Sequence, residues 1–357
     1  MTLTSFQTYM LYAVVVSMNY LLSGIDDHYR IRISKKIRIN RMFTLIVFAS
    51  MFILVTYRNC GVDTPTYEYS FIHNRSDSNY DIVFFSLLRT VRSFTDNIVV
   101  WQGVVGGISL LGIWAASDRL KDVIDRKTFI LYSTVYLYFF TFNYARMMLS
   151  VGLLVFGLSY LVTGDYLKYV VINIIAGLIH YTSFSMLFVF ALYYFGRRNR
   201  KIAICIGILG ASLVRIRPDL VSIFTISDHY SNYVTGTMAS AGGVGTLVQI
   251  IPYFLMIYLF KKNTDKEIIT LMYILLLGNL AFGFLGYSIP VASRIARFTF
   301  AFPCMFIPAY IIKCRQETKD RNYPIIKGLS IIWIFLVYFG IIQTTFNTIG
   351  IIPYIAR

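Results

Sequence analysis

Apolar stretches recur along the whole chain, separated by shorter polar segments rich in arginine and lysine. A helix needs about 20 largely apolar residues to cross a bilayer, fewer where flanking side chains snorkel. Twelve stretches qualify: 5–23, 42–57, 97–116, 129–143, 145–163, 169–181, 182–195, 202–214, 244–260, 267–286, 295–312 and 328–346. The pattern predicts an all-α, polytopic membrane protein of about 12 transmembrane helices, those near 169–214 being short. With odd-numbered spans running inward, loops 24–41, 117–128, 164–168, 196–201, 261–266 and 313–327 face the cytoplasm and hold 23 of the 33 lysines and arginines. That is a clear positive-inside bias, and it turns both termini outward. The first apolar segment, Phe6 to Leu22, lacks a basic n-region and a small-residue cleavage site, so it reads as a retained span.

Two outward loops are long, 58–97 and 215–243. In the first, residues 81–96 set Phe85, Leu88, Val91 and Phe94 roughly a helical turn apart, with Arg89 and Arg92 on a neighbouring face. This predicts a short helix lying in the interface. The second loop ends in the glycine-rich run Gly236 to Gly245, where the backbone can turn tightly. With no internal repeat and no soluble module, residues 1–357 read as a single integral membrane domain.

Composition sharpens this picture. At 57% hydrophobic and 14% charged residues, the chain lies well outside the soluble range, where about a quarter of residues are charged. The net charge of +16 is spread over loops and forms no continuous stripe, which excludes nucleic acid as a partner. Ten basic residues remain on the outward side, and lysine is absent from them: nine are arginines within short polar motifs and the tenth is Arg357. Arginine presents a planar, permanently charged fork matched to phosphate, so this asymmetry points to a phosphate-handling site. No Asp or Glu falls in the middle of a span, which argues against an ion-coupled carrier. Walker, HExxH, nucleophile-elbow and DxD motifs are all missing, so the chemistry expected needs no metal and no cofactor. Only Cys60 among the four cysteines is outward, leaving no disulfide partner; its thiol is the natural reporter of topology.

Five motifs carry the candidate chemistry. In YRNCGVDTPTYEY, Gly61 permits a turn, Asp63 and Thr64 cap local backbone and Pro65 blocks continuation of the span. Arg58 is offered there to a phosphate, Asp63 to a hydroxyl proton and Tyr67 to a sugar ring. In FNYARMMLSVGLL, Arg146 follows Asn143 at the end of an apolar helix, where an ionisable group faces a wet cavity or a partner. His180 stands near the end of the sixth span beside Tyr181, Thr182 and Ser183. In SRIARFTF, Arg294 and Arg297 occupy adjacent turns at a helix start, a seat suited to a diphosphate. DHYSNYVTG supplies Asp228, Tyr230 and Tyr233, an acid beside aromatics of the kind found in sugar grooves and in interfacial belts alike.

In their order and spacing, these motifs resemble the EpsG-like group of bacterial polysaccharide polymerases, the Wzy-type O-antigen and capsule polymerases. The likeness runs from about residue 42 to 354 and is strongest in the Arg-x-x-Gly-x-Asp-Thr and Asn-x-x-Arg stretches. The resemblance implies a multi-pass enzyme of the bacterial inner membrane. It would join oligosaccharide units carried on undecaprenyl diphosphate at the outer face, with lipid-linked donor and acceptor as partners, membrane lipid around it and room for a chain-length regulator beside it. By the same likeness Arg58 with Asp63, Arg146, His180, and Arg294 with Arg297 occupy the family's motif positions. Arg146, Arg294 and Arg297 would then hold the diphosphate, Asp63 or His180 would act as base, Tyr67, Tyr230 and Tyr233 would line the groove for the sugar chain, and Arg58, Asn143 and Asp228 would bind substrate beside them. A ligase or another lipid-linked-sugar glycosyltransferase would use nearly the same arginines. A flippase should show a central charged cavity or two related halves, and neither is apparent in the sequence.

Overall fold

The computed structural model describes residues 2–28, 31–32, 38–39, 42–73, 81–199, 201, 205–207, 209, 212, 244–260, 264–286, 290–339 and 343–357. These residues are predominantly helical, as expected. Strand pairing among them is confined to a two-residue ladder, Ile31–Arg32 against Arg38–Ile39, and to isolated bridges joining Thr2 to Ile355 and Arg58 to Ala356. The α-helices are α1 Ser5–His28, α2 Met42–Thr56, α3 Thr64–Ile72, α4 Ile82–Phe94, α5 Ile98–Arg119, α6 Arg126–Ser133, α7 Ala145–Val162, α8 Tyr166–Ile179 and α9 Ser185–Gly196. They continue with α10 Val244–Phe260, α11 Lys266–Leu285, α12 Pro290–Ala301, α13 Pro303–Glu317, α14 Tyr323–Val337 and α15 Gln343–Thr348.

Among the described residues, four stretches are long and apolar enough to cross a membrane: α5, α7, α11 and the run Ala292–Glu317. Shorter apolar helices accompany them at Thr44–Thr56, Tyr166–Ile179, Tyr181–Gly196, Leu247–Phe260 and Tyr323–Val337. The span expected at 202–214 lies mostly outside the described residues. Two expected spans are less regular than their apolarity suggests. The stretch at 129–143 begins as α6, loosens into a π-helical turn at Thr134–Tyr138 and tightens into a 3-10 turn at Phe139–Phe142. The stretch at 295–312 is interrupted at Phe302, where Pro303 opens α13; a proline cannot donate to the preceding turn but suits a helix start. The helix expected at 81–96 is present as α4, with a different inner face. Phe84 and Leu88 are buried, whereas Phe94 is 84% exposed.

Between helices in lipid the hydrophobic effect contributes little, and close backbone approach through small residues takes its place. Helices α5 and α7 meet in this way. A Cβ on Gly152 would stand 2.5 Å from the Ser109 carbonyl oxygen, so a larger residue would force the helices apart. The Ser109 hydroxyl donates to the Met148 carbonyl across the same contact at 2.8 Å. The contact sets the start of α7 beside α3, α4 and the break between α8 and α9, which is where the candidate residues meet.

The last residues form a strap along the 57–62 loop. Val62, Gly61 and Asn59 donate their amides to the carbonyls of Ile349, Gly350 and Ile355 at 3.0, 2.8 and 2.6 Å. Arg357 grips Glu68 on α3 with both guanidinium arms, at 3.0 and 2.7 Å. Cys60 lies within this packing at 5% exposure, so its thiol is shielded and is a poor topology reporter.

Candidate functional site

The first side of the site is the loop between α2 and α3. Gly61 adopts φ +103°, a left-handed conformation, and a Cβ there would fall 2.5 Å from the Phe142 carbonyl oxygen. A glycine therefore lets the loop lie directly on the break at Phe142–Asn143. Thr64 fastens it by donating to the Cys60 carbonyl at 2.7 Å and the Phe142 carbonyl at 3.3 Å. Asn143 Oδ1 accepts from the Asp63 amide at 2.7 Å. Asn143 thus holds the loop that carries Asp63.

Arg58 departs from expectation. Its guanidinium is enclosed, Nε donating to the Phe142 carbonyl at 3.0 Å and Nη1 to the Val55 carbonyl. Helix ends leave carbonyls without intrahelical donors, and Arg58 fills that need at two of them. It stitches the loop to the break.

Asp63 opens α3 but makes no capping hydrogen bond with its side chain. Its carboxylate is only partly buried, and Arg294, Arg146 and Arg297 all lie near enough to act on it. Burial raises its pKa above the ordinary carboxylate value against the pull of these three arginines. Tyr67 sits one turn further along α3. Burial likewise pushes its phenol up, opposed chiefly by Arg146.

The opposite side is built by α7, α12 and the break after α8. Arg146, in the first turn of α7, pairs through Nη1 with Asp81 Oδ2 at 2.6 Å. Asp81 immediately precedes α4, and its Oδ1 accepts from the Tyr181 amide at 2.9 Å. His180 ends α8 in an extended conformation, φ −145° and ψ 105°. Its ring is 2% exposed and packs 5.7 Å from Phe298, with Arg146 and Arg294 nearby. Among the described residues, neither ring nitrogen of His180 has a hydrogen-bond partner, nor do the buried hydroxyls of Thr182 and Ser183. Buried polar groups are nearly always satisfied, so three orphans within four residues ask for an explanation.

Arg294 and Arg297 lie on α12, which packs against the Tyr181–Phe184 turn and α7. Arg297 is exposed and stands 4.6 Å over the Tyr144 ring, an attraction that fixes a guanidinium without removing its hydrogen-bonding edge. The helix begins at Pro290, so both arginines lie inside it and away from the free amides of its first turn. An anion here would meet their side chains, whereas the sequence suggested a seat shared with the helix start.

The fold thus gathers Asp63, Tyr67, Arg146, His180, Arg294 and Arg297, with Asn143 behind Asp63. Asp228, Tyr230 and Tyr233 lie outside the described residues. Sequence reasoning missed Asp81 and Tyr144. Asp81 reads as an ordinary helix-opening acid, and nothing local distinguishes it from Asp77 or Asp96. Tyr144 lies within the Asn143–Arg146 motif, so its place could have been weighed. Among the described residues no group of three or more His, Cys, Asp or Glu is placed to hold a metal ion.

The EpsG family model matches residues 41–356. No curated protein and no solved structure matches the chain.

Proposed function

Because the chain belongs to the EpsG family, whose members are polysaccharide polymerase-like membrane proteins, we propose that it joins oligosaccharide units carried on undecaprenyl diphosphate. The reaction takes place at the outer face of the bacterial inner membrane, in a chain of about twelve spans. The observation that carries this reading is that Arg146, Arg294 and Arg297 all lie within electrostatic reach of one carboxylate, Asp63. Such a set suits a substrate that presents a diphosphate and a hydroxyl to the same place.

An acceptor hydroxyl oxygen attacks the anomeric carbon of the donor glycan, and the bond from that carbon to the diphosphate oxygen breaks. The hydroxyl proton passes to Asp63, whose raised pKa improves it as a base while the nearby arginines keep its charged form accessible. Negative charge grows on the departing diphosphate, and the three guanidiniums receive it. Preorganised donors of this kind act most strongly where water is excluded, and losing one commonly costs about 100- to 1000-fold in rate. His180, Thr182 and Ser183 offer unsatisfied polar groups to sugar hydroxyls. No step requires a metal, since the arginines supply the charge neutralisation.

The test is the glycan profile of a strain deleted for this protein and complemented with Arg294→Lys, which keeps charge but loses the planar fork. Accumulation of single repeat units in the deletion, incompletely relieved by the variant, is the expected result. Full-length glycan stranded on its lipid carrier would instead assign a ligase, and wild-type chain lengths with Arg294→Lys would remove that residue from the diphosphate role.

A further inference from the structure

The reaction proposed above leaves Asp81 without a part, yet its side chain is 1% exposed and bonded on both oxygens. Oδ2 holds Arg146 Nη1 at 2.6 Å, and Oδ1 holds the Tyr181 amide at 2.9 Å. One carboxylate therefore ties together the start of α4, the first turn of α7 and the break that follows His180. The backbone at Asp81 is left-handed, φ 58° and ψ 42°, a conformation that Asp and Asn tolerate better than other side chains bearing a Cβ. Its side chain makes no capping bond, so helix capping does not account for its placement. An isolated carboxylate at that depth would be costly, and its partners include an arginine and an amide that both border the site.

We propose that Asp81 is a positioning residue. It sets the plane of the Arg146 guanidinium and, through the Tyr181 amide, the seat of His180, so that both meet the same diphosphate-linked substrate. The inference rests on the reading of Arg146 as a diphosphate ligand. A guanidinium on a single helix samples several rotamers, and its fork matches a diphosphate only in one plane. A carboxylate that grips one arm fixes that plane before the substrate arrives.

The experiment uses the full chain in lipid nanodiscs, with undecaprenyl diphosphate as the binding probe and a lipid-linked repeat unit as the turnover substrate. Asp81→Asn preserves the shape, the left-handed backbone and the acceptor for Tyr181, and replaces the charged oxygen that grips Arg146 with a neutral amide donor. The expected result is a fall in kcat of about 10- to 100-fold with KM and probe affinity changed far less, because a misplacement of about 1 Å at a reacting centre has effects of that order. In an Arg146→Lys background the same substitution should add less than about twofold, since no planar fork is left to orient. Turnover of Asp81→Asn within about twofold of wild type, or losses that multiply in the double variant, would overturn the proposal. Should Asp81→Asn fail to accumulate, Asp81→Glu keeps the charge and shifts the guanidinium by one methylene; the same kcat-selective loss is expected, and a wild-type kcat would overturn the proposal. Wild-type binding and turnover in Arg146→Lys would remove the diphosphate reading and the positioning role together. An impaired Arg146→Lys beside an unimpaired Asp81→Asn would remove the positioning role alone.

Discussion

Arg58 and Arg146 are the same residue type at comparable places, one just past the end of α2 and the other just inside the start of α7, yet their guanidiniums do different work. Arg58 is 3% exposed and donates to the backbone carbonyls of Phe142 and Val55. Arg146 is 20% exposed, is gripped by the Asp81 carboxylate, and lies within electrostatic reach of Asp63, Tyr67 and His180. An arginine at a helix end becomes scaffold where orphaned carbonyls take its donors, and joins a charged cluster where carboxylates do. The partner decides, and the partner is distant in sequence.

The largest effect expected falls wholly on the ionisable side. Asp63→Asn should lower polymer formation by about 100- to 10,000-fold, the range associated with losing a positioned base. Protein level should hold, because the carboxylate makes no cap bond and the link to Asn143 runs through the Asp63 amide. A glycan ladder beside a quantified membrane blot reads both. The wild-type rate should fall as pH drops through the raised Asp63 pKa, since the base must be unprotonated. Stability should move the other way over that window. The folded state holds the proton more tightly than the unfolded chain, so the contribution of this group declines as pH rises from the ordinary carboxylate value through the raised one. A melting series at several pH values checks the sign.

Placing lysine at both arginine positions breaks the comparison most directly. Arg146→Lys keeps a charge for Asp81 and loses the fork, so turnover should drop about 100- to 1000-fold with the melting temperature nearly unchanged. Arg58→Lys cannot serve both carbonyls with one ammonium in the same geometry, so stability should fall by about 1–3 kcal/mol. If the two variants exchange these outcomes, the division between scaffold and site is wrong.

Asn143 sits on the boundary. Asn143→Ala removes the acceptor for the Asp63 amide and should cost about 1 kcal/mol in stability, with a loss of turnover smaller than that of Asp63→Asn. Equal losses in the two variants would mean that Asn143 meets the substrate itself. The smallest effect is expected at the strap. Arg357→Ala breaks a bidentate pair with Glu68 whose side chains are partly open to solvent, 19% and 30% exposed, and should stay within about 1 kcal/mol of wild type.

Much of the site was legible because each motif is local. Gly61 next to Asp63 announced a turn, the run from Arg294 to Arg297 announced one helical face, and Asn143 with Arg146 announced a polar helix start within an apolar region. Less legible were the roles. Arg58 offered a phosphate ligand and Asn143 a substrate contact, while the structure engages both with backbone at the break Phe142–Asn143 and the loop lying on it. Apolarity alone marked 129–143 as one span, and it does not register where a helix loosens into a π turn.

By itself, the sequence determined that the chain is helical and built for a membrane, and which polar motifs stand at the helix ends. Those properties follow from short-range periodicity and from the placement of charge around apolar runs. Only the tertiary structure decided which arginine serves the backbone, which carboxylate holds Arg146, and that three guanidiniums lie within electrostatic reach of Asp63. Each of these depends on partners far apart in the chain, 84 residues for Arg58 and Phe142, 80 for Asp63 and Asn143, and 100 for Asp81 and Tyr181. No local pattern encodes such pairings.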